Sequence, residues 1–377
     1  MNVPVYLRVE TLALIAGLAL SGIPEATAGE GEFEFDAGGT AKMAEPGDHW
    51  FMTIGFFGGG NVFDADSGEM QGKVNVSDFT SAVSLDRGRD RVYVPVSYYS
   101  RGTYGERTDL LVVNDVENLA PVAEIEVPNK LAAVFHRAVI NPVGDKFIAL
   151  FNMTPGQSVS IVDVENQTFV GEISTAGCGF VYPVSGNRFM QICGDGTVQV
   201  IALDDAGQET DRMRSRKFFD LEKDPVFDLA VPKSDGWLLI SFEGLVYDVT
   251  VDDRIEIARP WSLLTEDDAE ERWRVGGDQP FAYNDRTGIL FALVHQGGPD
   301  THEEPGTEVW AFNVPTQRRG YRVALEHESA AIDVSQDAEP LLYVSLEGSV
   351  QVHDAVTGRL RLTIPETGLL GGRVQAF

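Results

Sequence analysis

SIVDVENQTF, residues 160–169, reads as a strand that ends in an aspartate, then a polar turn, then the start of another strand. Ile161 and Val162 suit a pleated, half-buried surface. A carboxylate at Asp163 can accept the backbone N–H groups of the turn that follows. The same unit recurs as NVFDADSGEM (61–70), LVVNDVENLA (111–120), VIALDDAGQE (200–209), LVYDVTVDDR (245–254), VWAFNVPTQR (309–318) and VQVHDAVTGR (350–359). The markers Asp64, Asp115, Asp163, Asp204, Asp248, Asn313 and Asp354 lie 41 to 65 positions apart. Most units follow two further strand-like runs around a turn, as in AVINPVGDKFIALFN (138–152) and FAYNDRTGILFALVH (281–295). Four short antiparallel strands, repeated seven times at this period, predict an all-β, seven-bladed β-propeller. A multi-domain sandwich leaves the regular spacing unexplained.

The ends and the longest interval fit this scheme. The first unit has only HWFMTIGF (49–56) upstream, while GGRVQAF (371–377) is a spare strand able to complete that blade and close the ring. The propeller is therefore assigned to 45–377, behind an extension over 29–44. Between Asp248 and Asn313, WSLLTEDDAEERWRVGG (261–277) predicts a short helical insertion around 262–275. Thr265 is placed to cap it, with Asp268 three positions on and acids at the positive helix end. Those acids thus have a local role before any catalytic one.

Residues 1–28 read as a signal peptide: Arg8, an apolar run TLALIAGLALSGI, then Ala26-Thr27-Ala28. Export to the periplasm is expected, and the two cysteines, Cys178 and Cys193, are expected to pair across a strand–turn–strand segment. A net charge of −29 argues against nucleic acid and anionic membranes as partners and favours cationic ones. The chain lacks G-x-S-x-G, a P-loop, H-E-x-x-H and a C-x-x-C-H haem site. FGGGNV (57–62) sits between strands, not at a helix start, so phosphate binding is not expected. HQGGPDTHEEPG (295–306) carries two of the six histidines, but nothing fixes a metal-ligand set. It is expected as a surface connection in the sixth blade, with His302 near its tip.

Longer stretches carry a family resemblance. YSRGTYGERTD (99–109), the cysteine segment with its GDG (178–196), LLTEDDAEERWRVGGDQ (263–279), VSQDAEPLLYVSL (334–346) and VHDAVTGRL (352–360) occur in one order from about residue 45 onward. In these the chain resembles the heavy (large) subunit of methylamine and aromatic amine dehydrogenases. The resemblance implies a periplasmic propeller without a redox cofactor of its own, assembled as two heavy and two light chains. The light chain would carry tryptophan tryptophylquinone, oxidise primary amines to aldehyde and ammonia, and pass electrons to a blue-copper protein. It also implies one heavy-chain aromatic facing the substrate channel, which rough alignment through GDHWF puts at Trp50, or alternatively Phe51. Arg101, Arg107, Asp109, Asp278, Gln279 and His302 are the candidates for docking a partner. Two departures from the family pattern are acidic: Asp278, where an aromatic or Met is common, and Glu303, where Lys is common. A stand-alone binding propeller is the alternative from another class. A propeller enzyme with its own acids and histidines at the blade ends is a third, poorly supported by six scattered histidines.

Overall fold

Seven antiparallel sheets follow one another along the chain. The computed structural model describes residues 42–55, 59–77, 82–86, 88–368 and 372–377. The expected signal peptide, and the extension up to residue 41, lie outside the described residues. Blade III shows the plan: Ile140–Val143, Phe147–Asn152, Ser158–Asp163 and Thr168–Ser174 pair in succession from the axis outward. Its two middle strands are buried at every position, whereas Thr168–Ser174 alternates and is largely exposed. This gradient is what packing between two neighbouring sheets imposes, since the outermost strand has a solvent-facing edge and less of it is covered by the neighbouring blades.

The turn residues perform the predicted local role. Asp163 Oδ1 accepts the Asn166 N–H at 2.9 Å, and Asp64, Asp115, Asp204, Asn313 and Asp354 likewise accept turn N–H groups. Asp248 differs. Its strand, Leu245–Val251, runs three residues beyond it, so Asp248 pairs with Leu238 in mid-sheet and its carboxylate meets Lys233 Nζ at 2.8 Å. The sequence pattern there is the same, but the turn comes later.

Both chain ends build blade I. Arg373–Ala376 lies antiparallel to Trp50–Ile54, with Phe51 opposite Ala376 and Ile54 opposite Arg373. The spare C-terminal strand thus becomes the innermost strand of the first blade, and the ring closes as expected. The insertion is a short helix, Glu266–Glu270, with the Thr265–Asp268 capping box present. Arg319 from the long outer strand of blade VI reaches Asp268 at 2.9 Å and lies over the Trp310 ring at 4.2 Å. The insertion is therefore pinned to the blade's outer layer.

Innermost strands have one edge without a sheet partner, and their backbone groups need other bonds. Gln279 supplies two: its Nε2 donates to Ile332 O at 2.8 Å and Val374 O at 2.7 Å. Asn284 donates to Ser335 O at 2.7 Å, and Arg137 to Ala230 O at 3.2 Å. The two glycines before Asp278 make room for this arrangement. A Cβ on Gly276 would lie 2.6 Å from the His295 ring, and Gly277 has φ +127° with Ala330 O at 2.8 Å from where a Cβ would be.

Candidate functional site

In blades I to VII the second and third strands are joined on one face of the propeller, the face where the innermost strands begin. There the axis opens into a cavity of about 750 Å³. At the other end a smaller cavity, about 220 Å³, is lined by Arg137, Tyr182, Asp333 and Phe377 among others.

The wide mouth has an aromatic wall. Phe242 stacks on the His302 ring at 3.7 Å between centroids, and Phe227 meets Phe242 at 4.7 Å. His302 holds this place because its loop is tied down from inside. Thr301 Oγ1 donates to Gly298 O at 2.8 Å, so it accepts from His295 Nε2–H at 2.9 Å. His295 is buried, and burial pushes its pKa below the ordinary imidazole value. His302 N–C=O is engaged as well, its carbonyl accepting from Gly277 N–H at 3.0 Å. The connection keeps Asp300, Glu303 and Glu304 exposed at the surface, but it folds back and presents His302 to the channel.

Charges line the rest of the mouth. Asp278 and Glu303, the two acidic departures, open onto this same cavity, as does Asp228. Desolvation raises the Asp278 pKa; Arg373 works against that shift and Glu303 reinforces it. Arg373 is 5 % exposed, lies 4.0 Å above the Phe135 ring, and has neither Nε nor Nη1 hydrogen-bonded. Burial, aided by Arg137, pushes its pKa down to about 9, so it remains a cation at neutral pH. Nearby His136 has its Nδ1 occupied by the Ala138 N–H at 3.0 Å. Its Nε2–H therefore points to Asp228 O at 3.1 Å, and burial keeps the ring neutral by lowering its pKa. Tyr182 donates to that same carbonyl.

At the narrow end Gln375 Oε1 is buried without a partner, but the charged groups face one another. Arg137 faces Asp333 at 4.0 Å, and Asp333 Oδ2 accepts the Ala376 N–H at 3.1 Å. The cysteines pair as predicted: Cys178 and Cys193 stand directly opposite in register, and Cys193 forms part of the wide mouth.

Comparison with known proteins fits this geometry. The family model for the methylamine dehydrogenase heavy chain matches residues 44–371, which takes in every strand except the closing Arg373–Ala376. The chain belongs to that family. It is 30% identical to the methylamine dehydrogenase heavy chain of Methylobacillus flagellatus over 72% of this chain and 69% of that one. The Methylophilus methylotrophus heavy chain is 26% identical over 81% of this chain and 77% of that protein. Among solved structures, the Cps50 (Swd1) β-propeller domain of Myceliophteria thermophila superposes with a TM-score of 0.55 at 10% identity. It covers 86% of this chain and 95% of that one, a likeness of fold alone.

Within this heavy-chain fold the predicted site residues separate into two sets. Arg101, Asp278 and His302 lie on the face with the wide mouth, Arg101 in an exposed hairpin with its guanidinium 5.5 Å from the Tyr104 ring. Tyr98 and Tyr104 in that hairpin are more than half exposed. Arg107, Asp109 and Gln279 instead serve the interior. Arg107 grips the fully buried Asp109 through Nε–Oδ1 at 2.7 Å and Nη2–Oδ2 at 2.8 Å. The same pair binds the backbone of Leu131, accepting its N–H and donating to its carbonyl. With Gln279 only 2 % exposed and its amide donors spent on two neighbouring strands, neither group is free for a partner. Trp50 packs against Phe377, and Phe51 stacks between Phe63 and Tyr343; both rings are buried in blade packing. Phe227, Phe242, Arg373 and His136 are not marked by the sequence because three come from different connections and Arg373 from the closing strand. Phe227, Phe242 and His136 lie in connections between strands, where buried aromatics are unusual, but no local motif marks them.

Proposed function

We propose that this chain is the heavy subunit of an exported amine dehydrogenase, and that it scaffolds a small quinone-bearing light chain on the face with the wide mouth. The observation that carries the reading is the family match over residues 44–371, nearly the whole propeller. The homologues are methylamine dehydrogenase heavy chains, which implies a light-chain partner. The assembly would oxidise primary amines to aldehyde and ammonia and hand electrons to a blue-copper protein, in the periplasm, as two heavy and two light chains.

The heavy chain's own tryptophans do not suit a quinone. Trp273 and Trp310 lie 5.1 Å apart, but each indole N–H is bonded to a glutamate and Arg322 lies over both rings. Trp310 is wholly enclosed, so an amine has no path to it. This supports the reading that tryptophan tryptophylquinone belongs to the partner light chain. What this chain supplies is a rigid face carrying the longest second-to-third-strand connections, at Ser100–Glu106 and Gly297–Pro305. Exposed Tyr98 and Tyr104 with Arg101 suit an interface, where aromatics and arginine are enriched.

Co-expression with a light chain tests the reading. Co-purification, a quinone absorbance band and amine-dependent dye reduction are expected together. A folded, colourless monomer that ignores the light chain would overturn it in favour of a stand-alone binding propeller.

A further inference from the structure

Arg373 poses a specific problem. Its guanidinium is a cation at neutral pH, nearly buried, and short of hydrogen-bond acceptors at Nε and Nη1. Leaving such a charge unpaired is costly, and arginine is the side chain best matched to a carboxylate. Two other arginines that reach into the fold are not in this state: Arg107 is bonded to Asp109, and Arg137, near the axis, faces Asp333. Asp278 and Asp228 are near enough to influence Arg373 electrostatically, yet neither is bonded to it. Arg373 lines a cavity of about 750 Å³, the size range of small-molecule sites.

Three features of that cavity have to be met at once. A free inorganic anion would satisfy Arg373 but leave the aromatic wall of Phe227, Phe242 and His302 unused. A simple amine would suit Asp278 and Glu303 and leave Arg373 unpaired. A molecule with a carboxylate, an ammonium and an apolar group answers all three. We propose that the wide mouth binds an amino acid with a large apolar side chain, its carboxylate on Arg373, its ammonium towards Asp278 and Glu303, and its side chain against the aromatic wall. Every residue lining the site comes from this chain, on the face proposed for the light chain.

Calorimetric titration of the full exported chain, with any co-purifying partner retained, tests this with L-phenylalanine, phenethylamine and 3-phenylpropionate. L-phenylalanine is expected to bind at least about 10-fold more tightly than either analogue, as loss of one charge-assisted contact implies. Arg373→Gln should bring L-phenylalanine down to the level of phenethylamine without changing phenethylamine itself. Asp278→Asn, at an exposed position that folding does not need, should bring it down to the level of 3-phenylpropionate. Equal binding of phenethylamine and L-phenylalanine would overturn the proposal by showing a plain cation site, and equal binding of 3-phenylpropionate would do so by showing a plain anion site. Absence of heat with all three probes at millimolar concentration would also overturn it. Because these readouts need no quinone, they fail or succeed separately from light-chain pairing.

Discussion

The Arg107–Asp109 clamp and the wide mouth of the channel both place charged groups against buried backbone, and they use them oppositely. In the clamp every strong partner is found inside the chain: two parallel contacts between guanidinium and carboxylate, then the Leu131 N–H and carbonyl. At the mouth Arg373 keeps two nitrogens unbonded while acids face the cavity. The first arrangement spends charge on the fold. The second holds charge ready for something that arrives, and it is the pattern expected of a binding site, where polar groups converge on an apolar cavity.

The contrast is broken most severely at the clamp. Asp109→Ala strands the Arg107 guanidinium and the Leu131 N–H, and removing one partner of a buried pair costs about 3–5 kcal/mol. A large fall in the thermal or denaturant midpoint is expected. A shift within error would show that the clamp is not a fold-stabilising device. Next in size is the double substitution Cys178→Ser/Cys193→Ser. The bridge closes a separation of 15 residues and stabilises by roughly 3 kcal/mol, mainly through the unfolded chain. Because Cys193 is also part of the mouth, the comparison sharpens if stability falls while L-phenylalanine affinity stays unchanged. Loss of both together would mean the bridge shapes the site.

Much of this was legible in the sequence for a simple reason. The turn aspartates act within three or four residues, so Asp64, Asp115, Asp163, Asp204 and Asp354 announce strand ends without tertiary information. The Thr265–Asp268 cap and the cysteine pair are local in the same sense. Asp248 shows the limit: its motif is the same, yet the strand continues to Val251 and the carboxylate goes to Lys233. The mouth lay beyond that limit altogether. Phe242, His302, His136 and Arg373 come from four separate parts of the chain, and only ring closure by the C-terminal strand brings Arg373 beside them. Asp278 and Gln279 are neighbours in the sequence and both docking candidates, but adjacent positions point oppositely: the acid opens onto the cavity and the amide crosses to two other strands.

A smaller effect concerns pH. His136, His295 and His353 are held below the ordinary imidazole pKa by burial. The unfolded chain therefore takes up protons that the folded one refuses, and these groups lower stability as pH falls below about 6.5. His49 opposes them: despite desolvation its pKa is raised, by Asp66 and Asp337, so its contribution is full at low pH and lost as pH rises. With three groups against one, the histidines favour a falling thermal midpoint between pH 7.5 and 5.5. His295 also anchors the loop that carries His302. His295→Gln should flatten that slope, and an unchanged slope would remove His295 from the account.

The smallest stability effect is the most informative about the contrast. Arg373→Met keeps an apolar stem above Phe135 but deletes the unpaired guanidinium. The lost cation–π contact costs about 0.5–2 kcal/mol, while relief of a buried, unsatisfied cation works in the opposite direction by a similar amount. The net change should lie within about 1 kcal/mol of zero and can be stabilising. Denaturant unfolding beside Asp109→Ala reads the difference directly. If Arg373→Met destabilises as strongly as breaking the clamp, Arg373 is a strut of the closing strand, and the mouth is not holding charge in reserve. If it leaves stability alone while abolishing the advantage of L-phenylalanine over phenethylamine, the cation at the axis belongs to a ligand.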